Sequence, residues 1–175
     1  MPRYLNWRNF WIFWLGGLAV FLFNVLTSGP LITDVAPTGI LDHQSAATAE
    51  RVDAIQQSWA AAGQMNYAAW SMATDLVFIG LYTIGGIIGG RLLWQEAQSP
   101  SLKKLGLFMV LTYFLFGLFD YIETLSQITQ VLQEQGSDTL AGIAAFARPP
   151  KIATWIIGTI GMIAALLWRR RERRA

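Results

Sequence analysis

Cysteine is absent from the 175 residues, and histidine occurs once. The first absence excludes disulfides, thiolate zinc sites, iron–sulfur clusters and cysteine nucleophiles. The second excludes a haem held by two histidines of one chain. Charge is scarce as well: Asp, Glu, Lys and Arg make up 14% of the chain, where a soluble domain carries roughly 25%. No G-x-S-x-G elbow, metal-ligand cluster or quinone or haem motif is present. No catalytic or metal-binding residue is therefore assigned, no cofactor is implied, and the balance is against an enzyme. What fills the chain instead is apolar. Hydrophobic residues are 54% of the total, in runs long enough to indicate an integral membrane protein.

Four such runs match a hydrocarbon thickness of roughly 30 Å. They cover about 9–27, 67–94, 105–135 and 152–168, the third continuing outward as an amphipathic helix from about Leu125. The first is read as a retained anchor rather than a cleaved signal, because it is long and aromatic and Pro30 follows the nearest small residues. Lys and Arg set the orientation. Arg3, Arg8, Arg91, Lys103, Lys104 and the five arginines after the fourth run make ten on one side, against Arg51, Arg148 and Lys151 on the other. Both termini are then cytoplasmic, in an inner (plasma) membrane, and the segments 28–66 and 136–150 face outward. The basic tail 169–175 reads as a membrane-surface marker rather than a nucleic-acid site. The eight tryptophans fall mostly near helix ends, as interface anchors do.

The first outer loop carries a pattern of its own. Thr48 is a helix-start signal followed by Glu50 and Arg51, and Val52, Ile55 and Trp59 recur at helical spacing. A helix over about 48–63 is expected, its apolar face on the mouth of the bundle. The stretch before it, with two prolines and two glycines, reads as an ordered loop. The expected fold is all-α: one domain over 1–175, a four-helix membrane bundle with an additional amphipathic helix in the first outer loop.

Ionisable residues inside the apolar runs are the main functional signal. At 1.5 Å per residue, Asp75 lies about 24 Å from Arg91, Asp120 and Glu123 about 24 and about 28 Å from Lys104, and Lys151 about 27 Å from Arg169. Three helices thus place ionisable groups at one depth. Ser71, Asp75 and Tyr82 share a face of the second helix. Asp120, Glu123, Gln127, Gln130 and Glu134 form a stripe on the third, and Lys151, Trp155 and Gly158 share a face of the fourth. Pro149 and Pro150 suit a helix start, which puts Lys151 in the first turn of the fourth helix. Such groups face the bundle interior or a water-filled cavity. The simplest arrangement pairs Lys151 with one or two of the carboxylates, leaving a third to hold a proton or meet a cation. The same residues also fit an ion-pair network that only fixes helix register.

Two weaker features stand beside these. Gly85, Gly86, Gly89 and Gly90 in "GGIIGG" give overlapping GxxxG spacings, either a packing seam within the bundle or a face for a homo-oligomer or another subunit. No strand precedes them, so a nucleotide loop is excluded. His43, beside Asp42, is expected to be solvated or to make a local hydrogen bond.

The segments "PTGILDHQSAATAERVDAIQQSW", "SMATDLVFIGLY" and "GLFDYIETL", followed by a late Lys, resemble an uncharacterised group of small bacterial four-helix membrane proteins. The resemblance runs from about Pro37 to Trp168 in short motifs. It matches Glu50, Arg51, Trp59, Asp75, Tyr82, Asp120, Glu123 and Lys151, and departs at Gln44, where Glu is expected, and Thr124, where Asn is expected. It implies the four-helix topology and these polar residues, and no activity. Two functions fit the sequence. One is a non-enzymatic site at Asp75, Asp120, Glu123, Lys151 and Tyr82 for a small cation, amine, proton or lipid headgroup. The other is an accessory or assembly subunit of a larger membrane complex, with a purely structural polar cluster.

Overall fold

The computed structural model describes residues 4–174. Arg3 and Ala175, which belong to the orientation count and the basic tail, lie outside these residues. The described chain is helical, with no strand among its residues. Its elements are α1 (Trp7–Leu26), a 3-10 turn (Gly29–Leu31), α2 (Ile40–Ser45), α3 (Ala49–Ala61), α4 (Met65–Glu96), α5 (Pro100–Gln133) and α6 (Asp138–Glu172). Four of them, α1, α4, α5 and α6, are long and apolar enough to cross a membrane.

The helix ends have local causes. Thr48 precedes α3 in an extended conformation, and its Oγ1 accepts from the Arg51 amide at 3.3 Å, satisfying one of the unpaired donors of the first turn. Pro100 opens α5, where a missing N–H costs nothing. The helix stops at Gln133 rather than continuing to Gln135, because Glu134 turns to φ 50°. Glu134 is therefore an exposed turn residue and leaves the polar stripe. Ser137 then starts α6, its Oγ accepting from the Leu140 amide at 3.4 Å.

The largest departure from expectation is in α6. The outer segment 136–150 is not a loop, and the fourth helix does not begin at the prolines. One helix runs from Asp138 through Pro149 and Pro150 to Glu172. Proline's fixed φ is compatible with a helix; what it removes is an N–H and room for the carbonyl four residues back. Lys151 therefore sits in mid-helix, half-buried. A short helix that was not expected, α2, follows the stretch read as an ordered loop.

The contacts group into two compact units. The first comprises the chain up to Leu18, Ile79–Leu118 and the chain from Pro150. Its core is aromatic. Phe10 stacks on Trp14, Trp14 on Tyr82, and Tyr82 meets Tyr113 and Phe116. Glycines permit this density. A Cβ on Gly17 would lie 2.7 Å from the Tyr82 amide nitrogen, and one on Gly85 would lie 2.5 Å from that of Trp14, so the α1 and α4 backbones nearly touch. Gly86 faces the Tyr113 ring, Gly89 the Phe10 ring, and Gly90 the Gly106 carbonyl. All four glycines of "GGIIGG" thus face elements of the same chain.

The second unit comprises Ala19–Phe78 and Phe119–Pro149. α3 buries Val52, Ile55 and Trp59 in a cluster with Leu31, Met72 and Val131. Trp59 Nε1 donates to the Leu31 carbonyl at 2.8 Å. Asp138 Oδ1 accepts from the Ala49 amide at 2.7 Å and Asp53 Oδ1 from the Gly136 amide at 2.5 Å, so both ends of that connection are tied to α3.

Candidate functional site

In the second unit the polar stripe of α5 is turned inward. Asp120 is 2% exposed and Glu123 0%, and Thr124, Gln127 and Gln130 are also buried. Spacings of three and four residues put Asp120, Glu123, Gln127 and Gln130 on one helical face. Asp75 on α4, half-buried, joins them: Thr124 Oγ1 donates to Asp75 Oδ2 at 3.2 Å. Tyr121 Oη donates to the Leu76 carbonyl at 3.2 Å and ties the same two helices one turn away. Gln127 Nε2 donates to Glu123 Oε1 at 3.2 Å. Gln130 links the stripe to the α5–α6 turn, its Oε1 accepting from the Ser137 amide at 2.9 Å and its Nε2 donating to the Ser126 carbonyl at 3.1 Å.

Three of the expected site residues, Asp75, Asp120 and Glu123, therefore belong to one unit, with Thr124 as the link between helices. Thr124 entered the sequence comparison only as a departure from Asn. Either residue has a short side chain able to donate to the carboxylate on the neighbouring helix, and that is the signal for it. Among the described residues, no three His, Asp or Glu side chains come close enough together to hold a metal ion.

The other two expected residues lie in the first unit. Tyr82 is fully buried in the aromatic core, and its Oη and Thr159 Oγ1 are 2.5 Å apart. Beside it, Trp14 Nε1 donates to Tyr113 Oη at 2.9 Å, and Tyr113 Oη donates to the Gly158 carbonyl at 3.0 Å. Lys151 stands directly after the proline pair, with Thr154 Oγ1 donating to its carbonyl at 3.0 Å.

The α3 residues behave differently from one another. Trp59 is core. Glu50 and Arg51 are exposed, and the Arg51 Nη2 group donates to the Val35 carbonyl at 2.8 Å, bracing the loop before α2. Of the two expectations for His43, solvation does not hold and a hydrogen bond to a nearby segment does. His43 is 1% exposed and stacked on the Trp59 indole with centroids 5.3 Å apart. The reason is α2, which turns the residue inward. The Gln56 side-chain amide and His43 Nε2 form a hydrogen bond, 3.3 Å from Gln56 Nε2. Neither His43 Nδ1 nor Gln56 Oε1 has a hydrogen-bond partner among the described residues. Burial pushes the imidazole down to about 4, since desolvation disfavours its charged form.

No family model, curated protein or solved structure matches the chain.

Proposed function

We propose that the protein is a four-span inner-membrane protein with cytoplasmic termini whose acidic cluster binds a proton, a small cation or an amine from the outer side. The observation that carries this reading is the burial of Asp120 and Glu123, at 2% and 0% exposure, on a helix apolar enough to span a bilayer. Carboxylates in such a position are costly and mark ion, proton or substrate sites. Asp75, which accepts from Thr124, is a further acid of the same unit on a second helix. The reading takes Lys151 as counter-charge from its depth along the sequence, and Tyr82 as a residue about two turns further in on the face of Asp75. It takes α3 as the amphipathic helix of the outer loop. The Lys and Arg split of ten to three supports the orientation.

A thermal-stability panel tests the reading. Wild type and Glu123→Gln, purified in lipid discs, are melted in sodium, potassium, calcium or ethanolamine at two pH values. A ligand at 100 times its dissociation constant stabilises by about 2.7 kcal/mol, or roughly 5–10 °C for a chain of this size. One condition is expected to raise the wild-type midpoint by that amount and leave the variant unmoved. Identical responses of the two proteins under every condition would contradict the reading.

A second reading, an accessory subunit of a larger complex, is favoured by the surfaces of α1 and α6. Only 17% of each span is buried, against 56% for α4. Lipid or a partner helix could cover that area, and co-purification of a stoichiometric partner separates the two.

A further inference from the structure

Between α1 and α6, wholly within the first unit, runs a groove of about 560 Å³. Its walls are apolar: Trp11 and Trp14 from α1, and Ile163, Leu166 and Leu167 from α6. Its rim is basic, formed by Arg169, Arg170, Arg173 and Arg174. The α6 residues follow the three-and-four spacing of one helical face, so apolar and basic parts succeed one another along the axis over roughly 16 Å.

The four arginines are not equivalent. Glu96 takes two of them, at 2.9 Å from Arg169 and 3.3 Å from Arg173. It also accepts from Trp7 Nε1 at 2.7 Å, and the Arg169 guanidinium lies 3.7 Å over the Trp7 ring. Glu172, the other acid of this segment, accepts from the Gln98 and Ser99 amides at 3.1 and 3.3 Å. Among the described residues, Arg170 and Arg174 have no acidic partner. One end of the groove therefore carries two exposed guanidinium forks with no acidic partner among the described residues, and the other is lined by indole and aliphatic surface.

We propose that this groove holds one anionic phospholipid, with its phosphate on Arg170 and Arg174 and an acyl chain along Trp11, Ile163 and Leu167. The inference rests on the membrane reading above. The chemistry calls for an amphiphile. Guanidinium groups bind phosphate oxygens in bidentate fashion, and basic pockets between spans at the cytoplasmic side suit anionic headgroups. A free anion leaves the apolar wall without a purpose, as does a nucleic acid. The volume falls within the roughly 300–1,000 Å³ of small-ligand sites.

Native mass spectrometry of the full-length protein, released from detergent with phosphatidylglycerol or phosphatidylcholine, tests this. Each guanidinium near an anionic surface contributes about fivefold, so wild type should prefer phosphatidylglycerol by about 25-fold. R170Q/R174Q should bring the two lipids near parity, and the charge-matched R171Q/K103Q, outside the groove, should keep the preference. Leu167→Trp, which fills the groove and spares the arginines, should weaken phosphatidylglycerol binding, and inorganic phosphate should not displace the lipid. Equal retention of both lipids by wild type, or equal losses in the two charge variants, overturns the proposal. So does displacement by inorganic phosphate, or an oligonucleotide that binds as tightly and is lost in the same variant. An alkaline wash of the membranes separates the two levels. Release of the protein contradicts the membrane reading itself, whereas a retained protein that ignores headgroup charge contradicts only this inference.

Discussion

Glu123 is fully buried and Asp120 nearly so, so their charge must be met by protein, by a proton or by a ligand. Lys151 is the residue proposed to meet part of it. Removing one partner of a buried pair costs about 3–5 kcal/mol, and water or protonation in a membrane relieves some of this. Lys151→Met is expected to lower thermal stability, and Asp75→Asn, Asp120→Asn or Glu123→Gln to recover much of the loss in at least one combination. The double-mutant cycle reads the coupling directly, and strict additivity with all three acids would remove Lys151 from the site. His43 makes a separate prediction. Its imidazole titrates near 4 in the folded protein against 6.5 without burial. The unfolded chain therefore binds more protons between these values, and His43 weakens the second unit progressively as pH falls through that window. The gap is worth about 3 kcal/mol, complete below about pH 4. His43→Phe, which keeps a ring against Trp59 and cannot titrate, should flatten the acid dependence of the melting curve. An unchanged slope would place the acid sensitivity elsewhere.

At the scale of elements, α6 stands out because it contains two adjacent prolines. Pro149 and Pro150 leave the Ala145 and Phe146 carbonyls without their usual donors, and an interior proline costs about 3 kcal/mol. Changing both to Ala should raise the thermal midpoint; a fall would mean that the interruption is needed for packing. Gly136 is the opposite case. A Cβ there would collide with the Ala49 carbonyl oxygen, so Gly136→Ala should destabilise the second unit, and protease sensitivity at the α5–α6 turn would report it. The four long helices were legible from hydropathy alone, because a bilayer-length apolar run has few other uses. The buried stripe on α5 was legible from its spacing, and the start of α3 from Thr48. The course of α6 was not, because proline is a statistical stop signal and the Ser137–Asp138 start lies eleven residues ahead of the pair. The placement of His43 was hidden by α2, whose six residues are too short to show a period.

For the whole molecule, the orientation rests on Lys and Arg placement alone. A reporter fused after Arg174 should be active in the cytoplasm, and one inserted at Gly63 only outside it; the reverse pattern would invert the placement of the acidic cluster. The central claim is that Asp75, Asp120 and Glu123 act as one titrating or ligand-binding site rather than a fixed brace. Infrared difference spectra of the protein in lipid, taken between about pH 5 and about pH 9, observe those carboxyl groups directly. The account predicts a carboxyl band that changes with pH or with a stabilising cation and disappears in Asp120→Asn/Glu123→Gln. Spectra that match between wild type and the double variant across the whole range would contradict it.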